Sequence, residues 1–378
     1  MRVTCLALIA NIACVPTMLA AQGGAGSNAE LIKGDRYAKP HNYDLIHQRI
    51  AVGDFRWDSL SFNGTVTTTI VATVPSLATV RLDEGARLIN QKVTDAAGRA
   101  MQATHSGDTL TIALARALHR GDTLRFTVVY HGTIKNGDGL TFINNDGLSH
   151  RPEQLWSMGE TNSNHYWFPT YDEPDDKATW QIVATVPKED LAISNGRLQS
   201  NVVTGDSRTM TWSQDTPASI YLASLIVAPL VVTHDRWRHT PVDYYTYSED
   251  SVRAWPLFHV TVDMIDTYSR LTGVDYPWAK YAQTTVADFF GGMENVSATT
   301  LVDWLPDAAA YVDRPWYQHV LIPHELAHQW FGDYVTTANW ANMWLNEGFA
   351  EFMPGQYWNE KLGTLAEQEY YIDEYEQY

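Results

Sequence analysis

The segment His324-Glu325-Leu326-Ala327-His328 is the feature that most constrains this 378-residue chain. On an α-helix, residues four positions apart lie on one face, so both imidazoles can bind one metal ion. Glu325 lies between them and is placed to act as a base for a metal-bound water. Glu347 follows closely enough to lie on the next helix and supply a third ligand. Two histidines and one glutamate leave the fourth position of a tetrahedral Zn²⁺ ion open, which is typical of a catalytic site.

The alternative is a chance match on a core helix, with both histidines hydrogen-bonded in the interior. We favour a metal site because residues 316–334 carry apolar side chains at helical spacing, which predicts a helix there. Glu351, one turn after Glu347, is also placed to accept a hydrogen bond from a ligand imidazole, although a solvated helix face fits it equally well. A second motif upstream, Gly291-Gly292-Met293-Glu294-Asn295, fits a substrate site beside the metal.

This glycine motif has a physical interpretation of its own. Two adjacent glycines allow another peptide backbone to approach closely. Main-chain hydrogen bonds could then hold a peptide as an added strand at the edge of a sheet. The motif therefore predicts an edge strand beside the metal.

The charge of the chain excludes two classes of partner. With a formal net charge of -18, the chain is unsuited to bind nucleic acid or an anionic membrane. The acidic excess is steepest after residue 300, where Arg314 and Lys361 are the only cations. This acidic half would attract a cationic substrate group such as a free α-amine, but an acidic surface that aids solubility explains the charge equally well.

Residues 1–21 are typical of a secretory signal, with a charged start, a short apolar run over 3–15 and small residues at the end. The run is too short to span a bilayer, so we expect an exported protein, periplasmic or extracellular, without stable membrane insertion after cleavage. An uncleaved membrane anchor is the alternative. Both cysteines, Cys5 and Cys14, lie in this segment, so the mature chain would contain no disulfide.

The rest of the chain divides into parts with different patterns. Residues 22–36 form a linker rich in small residues. Residues 37–232 alternate β-branched and polar residues, which predicts an antiparallel, β-rich domain with a saddle- or sandwich-like shape. Residues 233–378 favour helices, including one amphipathic helix over 254–272. The predicted fold class is α+β.

When the 324–328 segment, Glu347 and the 291–295 motif are taken together, the chain resembles the gluzincin zinc aminopeptidases, the family of aminopeptidase N and leukotriene hydrolase. The resemblance covers nearly the whole mature chain. It implies a β-rich domain followed by a thermolysin-like catalytic domain that is C-terminally incomplete. It also implies one Zn²⁺ per chain on His324, His328 and Glu347, and hydrolysis of the N-terminal peptide bond of peptides, with Glu325 as the general base.

The resemblance also implies a substrate site for peptides with a free N-terminus. In the family the glutamate of the 291–295 motif binds the α-amine, which gives this role to Glu294. A second amine-binding residue precedes a Phe-Pro element, and Glu160 matches that position. The alternative for each glutamate is an ordinary surface residue. The residues expected to shape the first side-chain pocket are Met158, Gly291, Gly292 and Met293.

The chain departs from the family near its end. The tyrosine that stabilises the oxyanion in the family lies farther beyond the third ligand than Tyr378, and Tyr370, Tyr371 and Tyr375 come too early. We therefore expect a fragment of a longer protein rather than a natural truncation. Two alternatives stay open: a non-catalytic scaffold or binding module on the same fold, and an epoxide hydrolase activity, which only the Gly-Gly dipeptide favours.

Overall fold

The structure is a computed structural model that describes residues 41–144, 151–306 and 316–377. The predicted signal and linker, and Tyr378, lie outside these ranges. The described residues of the first part form fourteen strands: β1 (Tyr43–Arg56), β2 (Ser61–Ala72), β3 (Leu77–Asp83), β4 (Leu88–Asp95), β5 (Gln102–Ser106), β6 (Thr109–Leu118), β7 (Thr123–Thr133), β8 (Leu140–Ile143), β9 (Gln154–Ser157), β10 (Lys177–Pro187), β11 (Leu191–Ser194), β12 (Arg197–Thr204), β13 (Ser207–Ser219) and β14 (Leu225–Ala228).

These strands form three sheets. A seven-stranded sheet has the order β12-β13-β10-β1-β2-β7-β4, and its pairs are antiparallel except β1 with β10. A four-stranded sheet has the order β11-β14-β9-β8, and a three-stranded sheet has the order β3-β6-β5. Along β2, Val66, Thr68 and Ile70 are fully buried while Thr67 and Thr69 are partly exposed, because successive side chains of a strand point to opposite faces. The predicted β-rich domain is confirmed.

The second part combines a sheet with helices. Its elements are β15 (Val231–Trp237), β16 (Thr240–Thr246), α1 (Ser251–Phe258), α2 (Thr261–Thr272), β17 (Tyr281–Val286), β18 (Gly292–Met293), β19 (Ala298–Val302), α3 (Ile322–His328), α4 (Trp344–Leu362) and α5 (Thr364–Gln377). The sheet order is β15-β16-β17-β19-β18. The predicted division between residues 232 and 233 falls inside β15. A β-rich part followed by a helical part confirms the α+β class. None of the helices in the described ranges has the length and apolarity needed to cross a membrane.

The single helix predicted over 254–272 is wrong, because the chain forms two helices there. α1 ends at Phe258 and contains Pro256, which cannot donate a backbone hydrogen bond. The next residue, His259, contacts Asp235 Oδ2 at 3.0 Å. The Thr261 hydroxyl, at the start of α2, donates to Gln283 Oε1 at 2.9 Å. The two helices are thus anchored to different strands, β15 and β17.

The helix predicted over 316–334 is shorter than expected. A π-helical turn over Tyr317–Leu321 leads into α3, which ends at His328. Pro323 has no N–H to donate to the carbonyl of His319, and that carbonyl accepts the indole N–H of Trp358 at 2.9 Å instead. After His328 the chain turns back on itself, and the N–H of Asp333 donates to the His328 carbonyl at 3.0 Å.

A buried lysine joins the two parts. Lys280 is 4% exposed, and its Nζ donates to the carbonyls of Ser194 at 2.9 Å and Ser297 at 3.0 Å. Beside it, Asn195 Nδ2 donates to the Val296 carbonyl at 2.8 Å. Burial lowers the pKa of Lys280 to about 7. The Lys280 ammonium group therefore links the end of β11 to the loop between β18 and β19 by hydrogen bonds, and folding removes this group from water.

This lysine predicts a pH-dependent stability. An unfolded lysine has a pKa of about 10.4, so between pH 7 and 10 the unfolded chain binds more protons at this position than the folded chain. The Lys280 contribution to the free energy of unfolding should therefore rise with pH, by at most about 1.4 kcal/mol per pH unit. Urea denaturation at pH 7, 8 and 9 should show a more positive slope of the free energy of unfolding against pH in the wild type than in Lys280→Met.

The matched control is Lys188→Met, because Lys188 is exposed and pairs with Asp206 at the surface. That variant should keep the wild-type slope. An unchanged slope in Lys280→Met would contradict the lowered pKa of Lys280.

Candidate metal centre

Three side chains bring their donor atoms together at the end of α3 and the start of α4. His324 Nε2 lies 3.1 Å from His328 Nε2, and Glu347 Oε2 lies 3.4 Å and 3.3 Å from these two nitrogens. Ligands at the Zn–N and Zn–O distances of a tetrahedral zinc ion, about 2.0–2.2 Å, would lie about 3.3 Å from one another. The triangle therefore has the size that a tetrahedral ion requires, so these residues fit Zn²⁺.

Both imidazoles are held by their other nitrogen. His328 Nδ1 lies 3.0 Å from the carbonyl of Phe331, and His324 Nδ1 lies 3.1 Å from Glu351 Oε1. A carbonyl and a carboxylate accept hydrogen bonds, so Nδ1 of each ring carries a proton and Nε2 is the atom directed at the triangle. Glu351 thus makes the contact that its spacing from Glu347 predicts.

The charges in the triangle stabilise one another. Burial alone would lower the pKa of His324, but its hydrogen bonds to Glu347 and Glu351 raise that pKa well above the usual value. Burial alone would raise the pKa of the Glu347 carboxyl. Its hydrogen bonds to His324 and His328 outweigh burial, so this pKa is lowered. The Glu347 carboxylate is therefore ionised, as metal binding needs, whereas His324 gains a proton that a metal ion would displace.

Glu325 lies beside the triangle without belonging to it. Its side chain is 5% exposed, and Oε2 has no hydrogen-bond partner among the described residues. Burial raises its pKa to about 8, while His324 and His328 act to lower it. A Cβ built on Gly292 would overlap the Glu325 carboxylate. A buried carboxylate with a free oxygen beside a metal site can accept a proton from a reacting water.

The two predicted glycines differ in their surroundings. Gly292 begins the two-residue strand β18, which pairs with Thr300 and Leu301 of β19 and forms an edge of the five-stranded sheet. An edge strand was expected here, and the contact with Glu325 explains why position 292 needs glycine. A Cβ on Gly291 would meet no atom within 4 Å, so this position is open. Met293 is buried in the hydrophobic core.

Two further carboxylates extend the site away from the histidines. Carboxylate oxygens of Glu160, Glu294 and Glu347 all lie within 4.8 Å of one another. Burial raises the pKa of Glu294 to about 7, and Glu347 adds to the rise. Burial raises the pKa of Glu160 to about 8, and Glu294 and Glu347 add to that rise. A cationic group placed among these oxygens would relieve their repulsion.

Glu294 is held by residues that the sequence analysis did not single out. The Tyr221 hydroxyl donates to Glu294 Oε1 at 3.2 Å, and Gln329 Nε2 donates to the Glu294 carbonyl at 3.0 Å. Asn346 Nδ2 donates to the Tyr221 hydroxyl at 3.4 Å. Gln329 and Asn346 adjoin metal-site residues in the sequence and could have been suspected. No local pattern marks Tyr221, which lies in the N-terminal part.

The late tyrosines lie on α5, outside the donor triangle. The Tyr370 hydroxyl donates to Glu351 Oε2 at 3.3 Å, and the Tyr371 hydroxyl donates to the Phe352 carbonyl at 2.8 Å. Tyr370 therefore supports the carboxylate that holds His324.

One of two cavities adjoins the donor triangle, and the other lies in the N-terminal part. A cavity of about 350 Å³ opens beside the donor triangle, and its lining residues are Trp316, Val320, Leu321, His324, Glu325, Glu351 and Glu374. A larger cavity of about 690 Å³ lies in the N-terminal part, between the start of β1 and the β3-β6-β5 sheet. The smaller cavity is the one that adjoins the metal centre.

Comparison with known proteins agrees with this geometry. Residues 39–222 match the model of the peptidase M1 N-terminal domain, and residues 257–378 match the model of the peptidase family M1 domain. The aminopeptidase N of Acetobacter pasteurianus is 32% identical over 194 residues, which are 49% of this chain and 54% of that protein. The aminopeptidase 2 of Candida albicans is 27% identical over 343 residues, 86% of this chain and 36% of that protein.

A third relative is the glutamyl aminopeptidase of Bos taurus, 35% identical over 193 residues, 49% of this chain and 20% of that protein. The matched regions span about half or less of the length of these relatives. The two family models describe two domains of one family, occur in order and together cover most of the chain. The fold and the arrangement of His324, His328 and Glu347 agree with that assignment, and the chain belongs to peptidase family M1.

Proposed function

We propose that this chain carries the metal site of a zinc-dependent aminopeptidase, which hydrolyses the N-terminal peptide bond of peptides with a free α-amine. One observation carries the proposal: the donor triangle and the carboxylate cluster share Glu347, so a metal site and a cation site lie side by side. An aminopeptidase needs this pair, because it must hold an ammonium group about one residue away from the bond that it cleaves.

The protein groups divide the work as follows. A zinc ion on His324, His328 and Glu347 would supply Lewis acidity to the scissile carbonyl and to a water molecule. Glu325 Oε2 takes one proton from the attacking water and passes it to the nitrogen of the leaving peptide as the C–N bond breaks. Glu294 and Glu160 hold the substrate's ammonium group and disfavour peptides whose amine is blocked.

The peptide backbone has a place beside these groups. β18 is a sheet edge that ends one residue before Glu294. An extended substrate added to this edge would place its amine toward Glu294 and its first peptide bond toward Glu325. The names of the relatives, aminopeptidase N and glutamyl aminopeptidase, support an aminopeptidase activity. They leave the preferred side chain open.

The first prediction concerns zinc content. The purified protein should contain about one zinc ion per chain, and His324→Ala should lose it, because two remaining ligands bind zinc far more weakly. Elemental analysis by mass spectrometry measures this directly. His234→Ala is the control, since His234 lies on β15 and pairs with Asp243 at 2.7 Å. Unchanged zinc in His324→Ala would refute the proposed ligand set.

The second prediction separates the base from the ligands. Glu325→Gln should keep its zinc and lose about 10²- to 10⁴-fold in kcat on an amino-acid anilide, because an amide cannot accept the proton. Glu360→Gln is the control, since Glu360 lies exposed on α4 and pairs with Arg270. Substantial turnover by Glu325→Gln would place the base elsewhere.

A further inference from the structure

Two residues next to the proposed metal ligands make hydrogen bonds that lead to Glu294, directly from Gln329 and through Tyr221 from Asn346. Gln329 follows His328, and Asn346 precedes Glu347. Both side chains are buried, with exposed fractions of 0% and 1%. Neither belongs to the donor triangle. Gln329 contacts the Glu294 backbone, and Asn346 contacts Tyr221, whose hydroxyl contacts the Glu294 carboxylate.

Gln329 holds the backbone on both sides of the Glu294 loop. Its Nε2 donates to the Glu294 carbonyl at 3.0 Å, and its Oε1 accepts the N–H of Ser297 at 2.8 Å. The Tyr276 hydroxyl also donates to this oxygen, at 3.2 Å. The Gln329 amide therefore holds residues 294–297 against the end of α3 much as a neighbouring strand would. A shift of this loop would break two buried hydrogen bonds, which is costly.

Tyr221 holds the Glu294 carboxylate itself. Its hydroxyl donates to Glu294 Oε1 at 3.2 Å and accepts from Asn346 Nδ2 at 3.4 Å. The ring is fully buried and packs edge-to-face on Trp340 with centroids 5.0 Å apart. A hydrogen-bonded chain thus runs from the neighbour of Glu347, through a tyrosine of the N-terminal part, to Glu294.

We propose that Tyr221 and Gln329 are positioning residues that fix the Glu294 carboxylate relative to the metal ligands. They thereby set the spacing between the substrate's ammonium group and the bond that is cleaved. This inference rests on the proposed aminopeptidase function. Spacing matters because a misplacement of about 1 Å in an active site can cost on the order of 10²-fold in rate. Both residues act through Glu294, and neither is proposed to touch the reacting atoms.

The test uses two hydroxamate probes on the zinc-loaded 378-residue chain. L-leucine hydroxamate has a zinc-binding group and a free amine, whereas N-acetyl-L-leucine hydroxamate has the same zinc-binding group and no ammonium. Titration calorimetry should show that the wild type prefers the free amine. In Tyr221→Phe, which removes one oxygen atom, affinity for the free-amine probe should fall about 10-fold, because Glu294 loses a hydrogen bond to a charged group. Affinity for the acetylated probe and for zinc should stay unchanged.

If Tyr221 had a merely structural role, Tyr221→Phe would lower the affinity for both probes by the same factor. Tyr130→Phe is the matched control, since Tyr130 is equally buried and its hydroxyl donates to the Trp167 carbonyl at 2.7 Å. It should leave the ratio of the two affinities unchanged. Gln329→Met, which is similar in size and adds no charge, loses both hydrogen bonds to the 294–297 loop, so it should lower the ratio as Tyr221→Phe does.

The outcomes separate the inference from the function beneath it. A wild type that prefers the free amine, together with a Tyr221→Phe variant of unchanged ratio, overturns the positioning role alone. A wild type that binds zinc and both probes with equal affinity overturns the amine site, and the positioning role with it. A wild type that binds no zinc overturns the proposed function at the metal.

Discussion

A concentration of buried negative charge is the constraint on which this site depends. Glu160, Glu294, Glu325, Glu347 and Glu351 gather around two imidazoles, and burial opposes the ionised form of each carboxyl. Like charges this close cannot all ionise without cations nearby. A metal ion at the histidines and an ammonium group at Glu294 would satisfy both ends. The same repulsion that destabilises the folded site would thus favour the binding of these two cations.

The fold holds these charges in place with contacts from both parts of the chain. The β-rich part contributes Glu160 and Tyr221, and the helical part contributes α3, with its two histidines, and the edge strand β18. Lys280 fastens the loop after Glu294 to the end of β11 through two carbonyls. The cluster of Glu160, Glu294 and Glu347 therefore lies where the two parts meet, as ligand sites between domains commonly do.

The sequence predicted the features that depend on local spacing. Residues four apart on a helix, such as His324 and His328, must share a face, and the glycine pair indicated the edge strand that the structure contains. The β-rich part and the α+β class also followed from alternation. The strand β19, the break between α1 and α2, and the π-helical turn before α3 did not, because tertiary contacts decide them. The His319 carbonyl, for example, is satisfied by Trp358.

The contacts on Glu294 illustrate the same limit. Tyr221 lies 73 positions before Glu294 along the chain, and only the folded chain brings its hydroxyl to the carboxylate. Conversely, the requirement for glycine at position 292 has a cause that the motif alone did not reveal. The Glu325 side chain occupies the space that a Cβ would need.

The proposed function depends on the binding of one tetrahedral zinc ion by His324, His328 and Glu347. X-ray absorption at the zinc edge of the metal-loaded protein tests this binding most directly. We expect four nitrogen or oxygen neighbours at about 2.0–2.1 Å and the outer-shell scattering of two imidazole rings. A six-coordinate shell of oxygen atoms without imidazole scattering would contradict it.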